Sequence, residues 1–503
     1  MRLGRWLAAA LALSALGCAE RLARTTKPPA EAGTLDQRSQ YLKAHMKDGR
    51  LYILSQWSVS DATHSVSGYG DLFDPARTLV GSGPYTIALG DVALFETNVV
   101  SSSPTIVGLS ILTVLTTGVT LACLTNPKAC YGSCPTFYVW DGTRELLQAE
   151  GFSGSVAPAL EETDLDALYR AQPSGRVLDV RMTNEALETH VVKHVHLLAA
   201  PRPAGGRVLA TQSGALWQAL ALAPPHACTA AEGDCAAAVR TLDGRERTST
   251  TDPSDLATRE QIDLEFSAPA GQGALGVVVG ARQTFLTTYL FYQALAYMGR
   301  SVGAWMATLE RGDRSLLERV RGLDRALGGI EVLVADAGGR FQPAGAVSEV
   351  GPLAADVKVV PLPSPWTGVR AGQPIRVRLR LTRGYWRLDL LALARLGTRV
   401  EPVRLLPSVM GKQKTFPLVT LPGDEYRFRF QLPEHPERYE LFLESRGYYL
   451  EWMREEWLRE EDPARAALMF LNPQAALRLL APEFKRHEAR MEELFWRSRY
   501  ARP

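Results

Sequence analysis

Residues 129–142 read ACYGSCPTFYVWDG, and this stretch decides the fold class. Thr136–Trp140 is a short run of aromatic and β-branched residues, the composition of a strand. Asp141-Gly142 predicts a tight turn, because glycine accepts the positive φ that hairpins require. Glu145–Gln148 supplies a second short strand. A hairpin here opens the largest block of strand-like sequence in the chain.

Just before it lies Thr105–Leu124, TIVGLSILTVLTTGVTLACL, which holds no charged residue. An apolar helix of about 20 residues is long enough to cross a bilayer. The threonines, the serine and the two glycines make this one less apolar than a usual span. Three arrangements stay open: a single span, a membrane-inserted hairpin bending at Gly118, and a hydrophobic helix buried between domains. A span would carry the chain beyond Lys128 into the cytoplasm, and a lysine at that end is what the positive-inside rule expects.

Downstream, Val177–Met182, Val191–Leu198 and Arg207–Thr211 read as extended segments. Gln261–Phe266 alternates, with Ile262, Leu264 and Phe266 on one face. Gly273–Gly280 is an interior strand between glycines. The period then changes. In Thr284–Gly299, Phe285, Tyr289, Tyr292 and Ala296 recur at helical steps with no charge between them, which predicts a buried helix. A second β-rich block follows, and its plainest strand is Ile375–Leu381, IRVRLRL. There Ile375, Val377, Leu379 and Leu381 point inward while Arg376, Arg378 and Arg380 point out. The arginines read as a solvated face, with an anionic lipid head group as the alternative contact. Tyr448–Glu461 and Pro463–Leu480 read as helices.

The expected fold is therefore mainly β, in β-sandwich-like units, with a hydrophobic helix near 105–124, a buried helix near 284–310 and a helical C-terminal tail. The expected organisation is a signal peptide at 1–18, a tether at 19–36, a small β unit at 37–100 and the hydrophobic segment at 101–128. A β-rich domain at 129–285, a helical connector at 286–327, a second β-rich domain at 328–440 and the tail at 441–503 complete it.

The N-terminus sets the compartment. Met1–Arg5 is a short basic region, and Trp6–Leu16 is apolar. Gly17-Cys18 then matches the end of a lipoprotein signal, with Cys18 as the lipidated first residue of the mature chain. Plain cleavage to a free exported protein is the alternative. An exported chain directs the other cysteines toward disulfides. Cys228 and Cys235 bracket a polar loop and make the best local pair, and Cys130 and Cys134 make a second candidate pair. This leaves Cys123 in its apolar segment. The 503 residues carry 56 basic and 54 acidic side chains. So even a balance, with no basic stripe, gives nucleic acid no footing.

Candidate chemistry is sparse. His190, His194 and His196 are the best ligand-like cluster, and in a strand His194 and His196 share a face. Such a pair can hold zinc or copper if a third ligand arrives from His226, Asp234 or Cys235. GFSGS at 151–155 lacks the Gly-x-Ser-x-Gly order of a nucleophile elbow, and no phosphate-binding glycine loop is present. No catalytic residue and no cofactor is assigned.

The segment SCPTFYVWDG at 133–142, followed by AEGFSGS at 149–155, resembles a motif of bacterial, myxobacterial-like envelope lipoproteins of uncharacterised activity. That motif is SCPxxYxxDG after a hydrophobic run. The phrases at 282–299 and 439–458 look like further parts of the same arrangement. The resemblance implies an envelope location and transfers no activity. The expected role is a non-catalytic scaffold or interaction module at a membrane surface, on the periplasmic face of either membrane or on the cell surface. Its expected partners are lipid through Cys18 and other envelope proteins. The alternatives are a metal-dependent periplasmic enzyme using His194 and His196, and a component of an envelope transport or assembly complex.

Overall fold

The computed structural model describes residues 21–101, 134–303, 305–306, 322–348, 351–364, 366, 368–458 and 460–497. Cys18, Thr105–Leu124, Cys123 and Cys130 lie outside the described residues, and with them the lipid anchor, the apolar segment and the Cys130–Cys134 pair. The chain is mainly β, with 47% strand against 18% helix. It divides into two compact units.

The first unit comprises the described residues of 1–120, of Ala296–Ala307 and of Trp452–Asp462. Its six strands are β1 (Arg21–Lys27), β2 (Tyr41–Met46), β3 (Leu51–Ser60), β4 (Ser65–Phe73), β5 (Leu79–Ala88) and β6 (Val92–Ser101). They form one antiparallel sheet in the order β1-β6-β2-β3-β4-β5. In β3 the alternation buries Tyr52 and Leu54, and a register shift near Gln56 (φ 49°) returns Trp57 to the same core. Within the expected tether, Arg21–Lys27 form β1, which pairs along its whole length with β6. This strand shows no apolar period because it is held at a sheet edge by backbone hydrogen bonds.

The described residues of the second unit form four sheets. The first runs β25 (Ser408–Met410), β27 (Glu425–Gln431), β10 (Val177–Thr183), β7 (Thr136–Trp140), β8 (Glu145–Glu150). The second runs β24 (Val403–Leu405), β11 (Glu188–Pro201), β28 (Tyr439–Glu451), β9 (Glu162–Ala167), with β26 (Leu418–Thr420) also on β11. The third runs β13 (Leu216–Ala223), β12 (Arg207–Ala210), β21 (Asp356–Pro361), β18 (Leu275–Gln283), β23 (Trp386–Arg399), β16 (Arg247–Thr248). The fourth runs β15 (Gly233–Asp234), β14 (Ala227–Ala230), β17 (Arg259–Ser267), β22 (Pro374–Thr382), β19 (Ile330–Ala335), β20 (Phe341–Val347).

All four of these sheets mix strands from 129–285 with strands from 328–440, and the second also takes in β28. The two expected β-rich domains are therefore one interleaved body. Local alternation identifies strands, but it carries no information on which distant strand completes each sheet. The expected hairpin is present: β7 pairs with β8, Gly142 has φ 98°, and Asp141 Oδ1 accepts the Thr143 and Arg144 amides.

The second sheet lies between two others. Val192, Val195 and Leu197 of β11 pack against Phe137, Val180 and Phe428 of the first sheet. On its opposite face Leu198, Ala200 and Phe442 meet Val208, Ala210 and Leu216 of the third. Helices among the described residues include α1 (Leu286–Met298), α2 (Pro463–Leu471) and α3 (Pro473–Arg497). α1 is the expected buried helix, enclosed at almost every position from Tyr292 to Met298. The tail is helical from Pro463 onward. Tyr448–Glu451, however, continues β28, so the dense aromatic set begins in a strand. Among the described residues no helix is long and apolar enough to cross a membrane.

Candidate functional site: a histidine–glutamate cluster beside a cleft

β11 and β28 pair antiparallel over almost their full lengths, and the pairing contains one irregularity. The register shifts between Val192 and His194, leaving Lys193 as an extra residue on β11. The bulge reverses the alternation. Val192 and Val195 both enter the core between the first and second sheets, so His194, His196 and Leu198 share the other face. His190 precedes the bulge and stays on the Val192 face.

On the His194 face, register places Glu444 directly opposite His196 and diagonal to His194. His196 Nδ1 lies 3.0 Å from Glu444 Oε1, and His194 Nε2 lies 3.5 Å from the same oxygen. The two imidazoles stack with centroids 4.3 Å apart and 9° between planes. Glu444 Oε2 accepts from the Arg404 guanidinium at 3.0 Å, so the two carboxylate oxygens have different partners. The His194 Nε2 atom is closed to solvent, with no hydrogen-bond partner among the described residues. Burial lowers the His194 pKa; His196, Arg404 and Arg446 add to this, and Glu444 opposes it. The neutral imidazole, which has a lone pair to donate, is thereby favoured.

Glu444 and Arg404 also line a cleft of about 610 Å³, whose wall includes Arg399, Asp164 and Lys358. Lys358 belongs to a buried acidic corner made by β8, β9 and β21. Its ammonium pairs with Asp356 and donates to the Leu165 carbonyl at 2.7 Å. Burial works against the charged ammonium, but Asp356, Asp164 and Asp166 outweigh it and raise the Lys358 pKa. Burial pushes Asp164 and Asp166 up, Asp166 well above the ordinary carboxylate range. Glu150 is raised by burial to about 7, although the Leu353 and Ala354 amides and the Cys134 thiol favour its ionised form. This corner can hold protons near neutral pH. The histidine–glutamate cluster can hold a cation.

The sequence-level candidates separate. His194 and His196 come together, whereas His190 is fully buried with its Nε2 2.7 Å from Glu188 Oε1. None of the three anticipated third ligands joins them. His226 pairs with Glu265 at 3.4 Å, Asp234 accepts the Ala236 amide, and Cys235 is bonded to Cys228. Glu444 takes the place. The alternation of Glu440, Phe442 and Glu444 continues the strand beginning at Tyr439, and extending that strand past Leu443 is the signal that marks it. Cys228–Cys235 is the expected local disulfide. Ser153 and Ser155 lie between β8 and β9, with the Ser155 hydroxyl buried. Two of the three arginines on the outer face of β22 pair with neighbouring strands, Arg378 with Asp263 at 2.6 Å and Arg380 with Glu331. Arg378 also lies 4.2 Å from the centroid of the Phe341 ring. These contacts favour the solvated face over an anionic lipid site.

No protein-family model matches the chain, and no curated protein matches it in sequence.

Proposed function

We propose that the chain is a lipid-anchored protein of the bacterial cell envelope, working as a scaffold or interaction module rather than as a catalyst. The observation that carries this reading is the Cys228–Cys235 disulfide. Such bonds persist in exported proteins and are rare where cellular thiols keep cysteines reduced. The N-terminal sequence supplies the route: a basic region, an apolar stretch and a cysteine at position 18.

The start of β1 adds a geometric consequence. Only Ala19 and Glu20 separate Cys18 from β1 at Arg21. At full extension the three steps from Cys18 to Arg21 reach roughly 10 Å. An acylated Cys18 would thus hold the edge of the first unit's sheet against the membrane surface. At the opposite edge, β5 exposes Leu79 and Val80 at 54% and 62%. That edge is the proposed meeting place for envelope partners.

Fractionation of a Cys18→Ala variant tests the anchor. The wild-type protein sediments with membranes in high salt and is released by detergent, while the variant is recovered soluble. A variant that still sediments and resists alkaline extraction would mean that another segment holds the chain in the membrane.

A further inference from the structure

We propose that His194, His196 and Glu444 form a binding site for a divalent transition-metal ion of the zinc or copper class. The inference goes beyond the anchored-scaffold reading and does not depend on it.

The donor set suits such an ion: two imidazole nitrogens and one carboxylate oxygen, all within 4.8 Å of one another. The spacing also fits. Four ligands at ordinary zinc bond lengths around a tetrahedral ion stand about 3.3 Å apart. The two nitrogen-to-oxygen separations here are 3.0 and 3.5 Å, on either side of that value. The backbone maintains the spacing, since the histidines sit two residues apart on β11 and Glu444 faces them from the paired β28.

The surroundings divide the carboxylate in the manner of a metal ligand. Arg404 holds Oε2 and leaves Oε1 turned toward both imidazoles. Outer partners of this kind orient ligating carboxylates in metal sites. Arg446, the other nearby cation, is drawn away by Glu161 at 2.6 Å. His194 Nε2 is a closed-off nitrogen with no hydrogen bond among the described residues, and a bound ion would satisfy it. The three side chains retain 27%, 17% and 14% exposure and Glu444 lines the cleft, from which water or a small ligand would take the fourth position. Three protein ligands with one open position is the pattern of an exchangeable or reactive site, in contrast to a closed structural one.

The test is a zinc titration of the full-length protein by calorimetry, with cobalt substitution read by visible absorption. The wild type is expected to bind one ion per chain and to give the spectrum of a four-coordinate nitrogen–oxygen site. The paired change His194→Ala/His196→Ala weakens binding by more than about 100-fold, and Arg404→Gln, a positioning change, weakens it by about 10-fold. Glu444→Gln is nearly isosteric and repeats the test if the histidine pair is needed for folding. His226→Ala and Cys18→Ala leave the affinity unchanged, which keeps a failure here distinct from a failure of the anchor. Absence of stoichiometric binding by the wild type would overturn the proposal. So would full affinity in a folded Glu444→Gln protein, or an equal loss in His226→Ala.

Discussion

The Glu150 carboxylate accepts the Leu353 amide at 2.7 Å inside a corner closed to solvent. Burial raises its pKa from 4.5 to about 7. The folded state therefore keeps a proton that the unfolded chain has released, and the stability tied to this group falls as pH rises from 4.5 to about 7. The full effect is on the order of 3 kcal/mol. Glu150→Gln should flatten that part of the profile, read as urea midpoints at about pH 5 and about pH 8. An unchanged slope in the variant would show that Glu150 is not the titrating group.

Arg395 is fully buried and has three backbone carbonyls as partners: Pro269 and Val369 at 2.9 Å and Gly273 at 3.0 Å. These carbonyls belong to loops that the guanidinium ties to β23. Arg395→Met would leave all three without this donor, at a cost of about 3 kcal/mol or more. Thermal unfolding should shift down accordingly. A melting temperature within error of wild type would contradict the assigned role.

The Cys228–Cys235 bond closes a loop with a sequence separation of 7. Chain-entropy reasoning puts its contribution at about 2 kcal/mol. Paired replacement by serine should lower stability by that amount while the first unit's sheet, which lies elsewhere in the chain, keeps its hydrogen-exchange protection. Peptide mapping without reductant should recover the two cysteines as one linked species.

The arginines of β22 offer a negative control for membrane attachment. Arg378 and Arg380 face Asp263 and Glu331 on the flanking strands. Surface pairs of this kind contribute up to about 1 kcal/mol and leave little net positive charge for lipid. Joint replacement of Arg376, Arg378 and Arg380 by glutamine should leave binding to anionic vesicles unchanged. A clear loss would restore the lipid-facing reading of that strand.

Much of the fold was legible because it is local. The Asp141-Gly142 turn, the alternation in Ile375–Leu381, the buried helix at 286–298 and the Cys228–Cys235 pair each depend on neighbours in sequence. Long-range pairing was not legible. Nothing in Val177–Thr183 names Glu425–Gln431 as its partner, and this kind of pairing merges the two expected β-rich domains. The site lay between these cases. Alternation put His194 and His196 on one face, while His190 joined the cluster only by its nearness in sequence. The bulge at Lys193 separates His190, and the partner Glu444 comes from a strand 248 residues further on. Tyr448 and Tyr449 misled in a different way, because aromatic density fits a buried strand as readily as a helix face.

The most direct measurement is mass spectrometry of the N-terminal peptide of the mature protein isolated from its native membranes. A chain beginning at Cys18 and carrying covalently bound acyl chains is the expected result. A chain that keeps Met1, or one cleaved elsewhere without lipid, would contradict the anchored-envelope reading.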